Sequence, residues 1–176
     1  MTPDLQPGSA APLDTHVLST LVNEYRKLKT LGDRALAQVP SDDAVNLFLD
    51  PESNSIVVIV RHLAGNFRSR WTDFLISDGE KPNRNRDGEF DQAKRLTREE
   101  TMAEWESGWS ALFKAVEALK VEDLQRTVTI RGEAQTVFEA ILRNQLHAAQ
   151  HIGQILLLAK HTAGANWQTL SIPRKR

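Results

Sequence analysis

The chain has 176 residues, 22 basic and 23 acidic side chains, a net charge of −1 and no cysteine. The length fits one domain with a core of its own, and the near-neutral charge lacks the basic surface that nucleic acids attract. Disulfides are excluded, and no apolar run approaches the length of a membrane span. We therefore expect no nucleic-acid or membrane partner, and we expect a cytoplasmic location, with which the lack of cysteine is compatible.

The first predicted element is a long helix that follows a flexible segment, residues 1–14. Asp14 or Thr15 can cap its start, and Pro40 ends it near Val39. Its apolar side chains recur at three- and four-residue spacing, which is the pattern of one buried helical face. A short turn of helix is predicted between this helix and the next long segment.

The second long segment begins with Ile56–Val60, a β-branched run that by propensity alone favours a strand. Two features favour a helix instead. Ser53, Asn54 and Ser55 can cap it, and a longer window shows a helical stripe. The stripe consists of Ile56, Ile59, Val60, Leu63, Phe67, Trp71 and Phe74.

A polar loop, residues 77–90, separates this helix from the third one. The third helix is predicted to begin at a capping box formed by Thr97 and Glu100, and to continue through Leu119. Its tryptophans, like Trp71, are interpreted as packing anchors.

Residues 131–133 are predicted to turn a small hairpin, after which a second capping box, starting at Thr136, opens the last helix. Gly164 ends that helix. The expected fold is all-α: residues 15–170 form a four-helix bundle with one long crossover connection and a small β-hairpin before the last helix. Residues 171–176 are expected to be a flexible tail.

His147 and His151 are the strongest candidates for chemistry. Residues four apart on a helix lie one above the other, so two imidazoles there can bind one ion. Alone, such a pair is more often two unrelated surface histidines. Here His151 falls at the edge of the apolar stripe, and Asn144 and Gln154 continue a polar line beside it. A polar line next to the core is costly unless its members are satisfied, which favours a site.

His62 on the second predicted helix is the candidate for a third ligand. It lies in the part of that helix that is apolar nearly all round, and Asn66, four residues on, is expected to orient its ring. The alternative is a histidine at the core edge that bonds a backbone carbonyl. In the polar loop, Arg84 and Arg86 are candidates for binding an anionic substrate group, the alternative being internal pairing with the carboxylates of the loop.

With these motifs the chain resembles the DinB/YfiT-like superfamily of metal-binding four-helix bundles. The resemblance rests on residues 60–66 around His62 and on His147-x-x-x-His151. It is closest to a subgroup of uncharacterised bacterial proteins. That subgroup is marked by stretches like Arg68–Phe74, Asp78–Pro82, Asn85–Glu89, Val128–Gly132 and Asn166–Gln168. Asn83 departs from the pattern, because close relatives are expected to carry an aromatic residue there.

The resemblance implies that His62, His147 and His151 bind one divalent metal ion, zinc or nickel, with water in the open positions. It also implies a homodimer. Characterised relatives include transferases and an isomerase that use thiols such as bacillithiol or mycothiol, while other members are described only as metal-dependent hydrolases.

The expected function is therefore a metal-dependent enzyme that activates a low-molecular-weight thiol, as cosubstrate, for transfer to a small electrophile. One alternative is a hydrolase that uses metal-bound water, with Glu139 or a loop carboxylate as the base. The other is a non-catalytic binding module that the metal only stabilises.

Overall fold

The structure, a computed structural model, describes residues 13–172 and is mostly helical in that range. It contains six α-helices and one two-stranded hairpin. These are α1 (Leu13–Leu36), α2 (Asp42–Val45), α3 (Ile56–Trp71), α4 (Arg86–Glu89), α5 (Arg98–Val116), β1 (Thr127–Ile130), β2 (Glu133–Thr136) and α6 (Val137–Ala163). None of the helices in this range combines the length and apolarity that a membrane span requires.

The termini that the sequence predicts to be flexible lie largely outside the described residues. Residues 1–12 and 173–176 are not described, whereas Leu13 and Asp14 are the first residues of α1. The helix therefore begins slightly earlier than the predicted caps, and it ends at Leu36 rather than Val39.

The run Ile56–Val60 is helical, so the strand alternative is wrong. The Ser55 side chain caps α3 by accepting a hydrogen bond from the Val58 N–H. The predicted stripe is buried throughout, but α3 ends at Trp71, and Phe74 follows the helix instead of belonging to it. This geometry gives His62 the helical direction that the metal-site prediction requires.

Local signals set the ends of the later elements. The predicted capping boxes open α5 at Thr97 and α6 at Thr136. The hairpin pairs Thr127 with Thr136, and Arg131 and Gly132 both have positive φ, as a tight two-residue turn requires. The Asp78 carboxylate accepts hydrogen bonds from the backbone N–H groups of these two turn residues, which holds the polar loop against the hairpin.

The core lies between two pairs of helices, α3 with α5 and α1 with α6. Gly108 allows α5 to approach α3 closely, because a Cβ there would lie 2.6 Å from the Ala64 Cα. The tryptophans at positions 71, 105 and 109 are fully buried, as predicted for packing anchors. A further contact joins α3 to α6, and this contact brings the predicted metal ligands to one place.

Candidate metal centre

Three histidines from two helices converge at the contact between α3 and α6. The Nε2 atom of His147 lies 3.1 Å from Nε2 of His62 and 3.2 Å from Nε2 of His151. His62 is buried on α3, while the two α6 histidines are partly buried. The cluster can hold a metal ion, as the sequence predicted.

Two of the rings are held from behind by oxygen acceptors. The Nδ1 of His62 is 2.9 Å from Glu89 Oε2, and the Nδ1 of His151 is 2.8 Å from Gln154 Oε1. A carboxylate and an amide oxygen can only accept, so each Nδ1 carries the ring proton. Both Nε2 atoms therefore present lone pairs toward His147, which is the ligand form of imidazole.

A cation fits this arrangement better than hydrogen bonds do. One N–H at Nε2 of His147 can satisfy only one of the two lone pairs that face it, whereas a cation satisfies all three nitrogens. Nitrogens that bind zinc tetrahedrally at about 2.0–2.1 Å are separated by roughly 3.3 Å, close to the observed spacings. The buried Nδ1 of His147 has no hydrogen-bond partner within residues 13–172.

The electrostatic setting keeps the α6 histidines neutral. Burial lowers the pKa of His147 to about 3, and the neighbouring His151 and His62 and two arginines act in the same direction. Burial also lowers the pKa of His151, although its hydrogen bond to Gln154 opposes the shift. Neutral imidazoles at neutral pH are ready to bind a metal without losing a proton first.

Glu89 is the residue that sequence reasoning missed in this role. It comes from α4, at the end of the polar loop, and it connects His62 to Arg84, whose Nε and Nη2 each lie 2.8 Å from one of its oxygens. Burial alone would raise the pKa of Glu89, but its hydrogen bonds with His62 and Arg84 lower it overall. Gly65 leaves room for this carboxylate, because a Cβ there would overlap Glu89 Oε1. The polar loop thus lies against the histidine cluster.

Asn66 was expected to orient His62, and this prediction is wrong. Its Oδ1 accepts a hydrogen bond of 2.8 Å from Asn144 Nδ2, while the two His62 ring nitrogens face Glu89 and His147. Asn144 also accepts from Tyr25 Oη and Trp71 Nε1. It therefore ties α6 to α1 and α3 one turn before His147, and no hydrogen bond joins it to the three histidines. Of the three predicted supporting residues, Gln154 alone bonds a ring.

The two loop arginines differ in their surroundings. Arg84 is almost fully buried and pairs with Glu89 and Glu80, which is the internal pairing that the sequence left as the alternative. Arg86 is exposed, and its guanidinium lies 5.2 Å from the centre of the Phe90 ring, which in turn packs against His62. Both arginines line a cavity of about 190 Å³ beside the histidines.

The fold and the site together define a mostly helical protein with a histidine cluster that can hold a metal ion. The sequence matches the family described as protein of unknown function (DUF1572) over residues 13–176, and the chain belongs to that family. No curated protein matches the sequence.

Proposed function

We propose that the protein is a metal-dependent enzyme of the DinB/YfiT-like type, which activates a low-molecular-weight thiol for transfer to a small electrophile. In this proposal the four long helices, α1, α3, α5 and α6, form the four-helix bundle of that superfamily. The observation that carries the proposal is the convergence of three Nε2 atoms, two of them with tautomers set by Glu89 and Gln154. Three neutral ligands are typical of catalytic rather than structural zinc sites.

A divalent ion in the cluster lowers the pKa of a thiol that binds it. The chain has no cysteine, so the thiol must come from a cosubstrate. The residues around the histidines supply orientation. Glu89 fixes the His62 ring, Gln154 fixes the His151 ring, and Phe90 shields one face of His62.

The hydrolase alternative needs a free carboxylate near the histidines as a general base. Glu139 is engaged elsewhere, since its Oε2 accepts hydrogen bonds from the backbone and hydroxyl of Thr136 in the α6 cap. Glu89 is held by His62 and Arg84. These contacts favour the thiol reaction, in which the cosubstrate is itself the nucleophile.

The test is a titration of the cobalt-substituted protein with bacillithiol, mycothiol, glutathione and coenzyme A. We expect one thiol to produce a sulfur-to-cobalt charge-transfer band in the wild type and in His161→Ala, since His161 is exposed on the last turn of α6. The band should be missing in His151→Ala. If no thiol gives a band but esters or amides are cleaved, the hydrolase replaces the transferase. If neither occurs, the metal-stabilised binding module remains.

We also propose that two chains associate through the outer face of α6. Phe138, Leu142 and Leu146 recur every four residues there and are exposed by 37%, 38% and 67%. An apolar stripe of this kind is typical of an interface. Sedimentation equilibrium should show a dimer that Leu146→Gln weakens and that the control Ile76→Gln leaves unchanged. A wild-type monomer at all concentrations would contradict this.

A further inference from the structure

Arg70, two turns after His62 on α3, is a largely buried arginine whose Nε is left without a hydrogen-bond partner by the described residues. The residue is only 8% exposed, and among residues 13–172 it has neither an ion pair nor a hydrogen bond at Nε. Gly79 packs directly over its stem, since a Cβ there would lie 2.9 Å from the Arg70 Cδ. A buried charge is costly unless something pairs with it. The structure thus holds Arg70 in place for a partner that residues 13–172 do not provide.

The cavity of about 190 Å³ beside the histidines is where that partner would bind. Its charged lining consists of arginines alone, namely Arg70, Arg84, Arg86, Arg131 and Arg143. His62, His147, Asn66 and Asn144 complete it. Burial lowers the pKa of Arg70 to about 10, with the charge of Arg143 as the next cause, so the two guanidinium groups act on one another.

The carboxylates nearby do not balance these charges. Glu80 pairs with Arg84 and Arg131, Glu89 with Arg84, and Glu133 lies 4.0 Å from Arg143. Among the five arginines of the lining, Arg84, Arg131 and Arg143 thus have a carboxylate partner, whereas Arg70 and Arg86 have none among the described residues. Because Arg70 is nearly buried, solvent screens its attraction for an anion less than it screens that of the exposed arginines.

We propose that this cavity is an oxyanion-binding site, in which Arg70 and Arg143 bind a carboxylate or phosphoryl group of a small molecule. Guanidinium groups bind both kinds of oxyanion through paired hydrogen bonds. The cavity has the volume of roughly six water molecules, which fits such a group with a few attached atoms. This inference deepens the proposed function, because it makes the substrate or the thiol anionic, but its evidence is independent of the metal.

The sequence suggested Arg84 and Arg86 as the residues that bind an anion, whereas this proposal assigns that role to Arg70 and Arg143. The guanidinium of Arg84 is already engaged by Glu89 and Glu80, so it contributes charge rather than a free donor. Arg70 and Arg143 approach the cavity from α3 and α6, the same two helices that carry the histidines. A bound oxyanion would therefore lie beside the reacting groups.

The test is calorimetric titration of inorganic phosphate and of succinate into the full-length protein, metal-free and zinc-loaded, at constant ionic strength set with chloride. We expect saturable binding of one of them to both forms. Arg143→Gln should weaken it at least tenfold, and Arg126→Gln should not. Arg126 is the matched control for Arg143, because the two side chains are exposed by 47% and 53% and Arg126 does not line the cavity. Arg70→Gln should weaken binding as well, with circular dichroism used to verify its fold.

The possible outcomes separate this inference from the proposed function. No saturable binding of either probe, or equal binding by wild type and Arg143→Gln, overturns the oxyanion site. Binding that requires zinc and disappears in His147→Ala also overturns it, because the anion would then bind the metal, and the metal centre would stand. Binding by metal-free wild type in a protein that fails to retain zinc would leave the oxyanion site intact and refute the metal-dependent function.

Discussion

Replacing Glu89 with glutamine tests how the protein prepares His62 for a metal. The carboxylate accepts from His62 Nδ1 at 2.9 Å and from two Arg84 nitrogens at 2.8 Å. Glutamine keeps one oxygen for His62 but turns an N–H₂ group toward Arg84. Hydrogen bonds to a charged group contribute about 1.5–3 kcal/mol each. Because Arg84 retains Glu80 as a partner, we expect unfolding to become easier by about 2–3 kcal/mol.

That loss corresponds to a melting temperature lower by roughly 5–10 °C for a chain of this size. The affinity for zinc should fall about 10- to 100-fold, as is usual when the partner of a ligating histidine is mutated, because a neutral amide supports the metal-bound ring less than a carboxylate does. Competition with a chromophoric chelator measures the affinity, and circular dichroism measures the melting. Asp87→Asn is the control, since Asp87 lies exposed on the same short helix. Unchanged zinc affinity in Glu89→Gln would refute the orienting role of this carboxylate.

Three further perturbations follow from the structure. In the metal-free protein, His147 binds its proton near pH 3 when folded and near pH 6.5 when unfolded, so its contribution lowers stability as pH falls through that window. In urea titrations, the free energy of unfolding should fall by about 0.5–1 kcal/mol for each pH unit, a value that allows for the partial exposure of the ring. His147→Asn should remove this pH dependence. An equal pH dependence in the variant would contradict the prediction. Gly65→Ala should displace Glu89 and destabilise the fold by about 1–3 kcal/mol. Gly153→Ala, whose Cβ would meet nothing within 4 Å, should stabilise the fold by about 0.5–1 kcal/mol. Equal effects of the two substitutions would contradict the close approach of Glu89 to Gly65. Asn144→Ala should cost about 2–4 kcal/mol in chemical denaturation, because two buried aromatic donors lose their acceptor; a change below 1 kcal/mol would contradict its role.

Much of the fold could be predicted because its signals are local. The capping boxes at Thr97 and Thr136 each involve residues three apart in the chain, and both are present. The helix at Ile56–Val60 needed a longer window, since its β-branched residues favour a strand and only the stripe beyond them shows the helical period. The end of α3 was missed because Phe74 is buried without being helical.

In the candidate site, too, the residues that follow a local spacing could be predicted and the others could not. His147 and His151 are recognisable because both lie on one helix at a fixed spacing. Glu89 is not recognisable in this way, because it lies 27 positions from His62 in the sequence, in a loop that has no periodicity. Asn66 satisfied the spacing rule, yet Asn144 on another helix is its partner. Side chains whose role depends on packing between helices thus remain beyond a single sequence.

The central claim, that His62, His147 and His151 hold one metal ion, is tested most directly by metal analysis of protein purified without an affinity tag. Wild type, the double variant His147→Ala with His151→Ala, and the control His161→Ala should be compared after equal exposure to zinc and gel filtration. We expect close to one equivalent of metal in wild type and in His161→Ala, and none in the double variant. Equal metal in all three proteins would contradict the account.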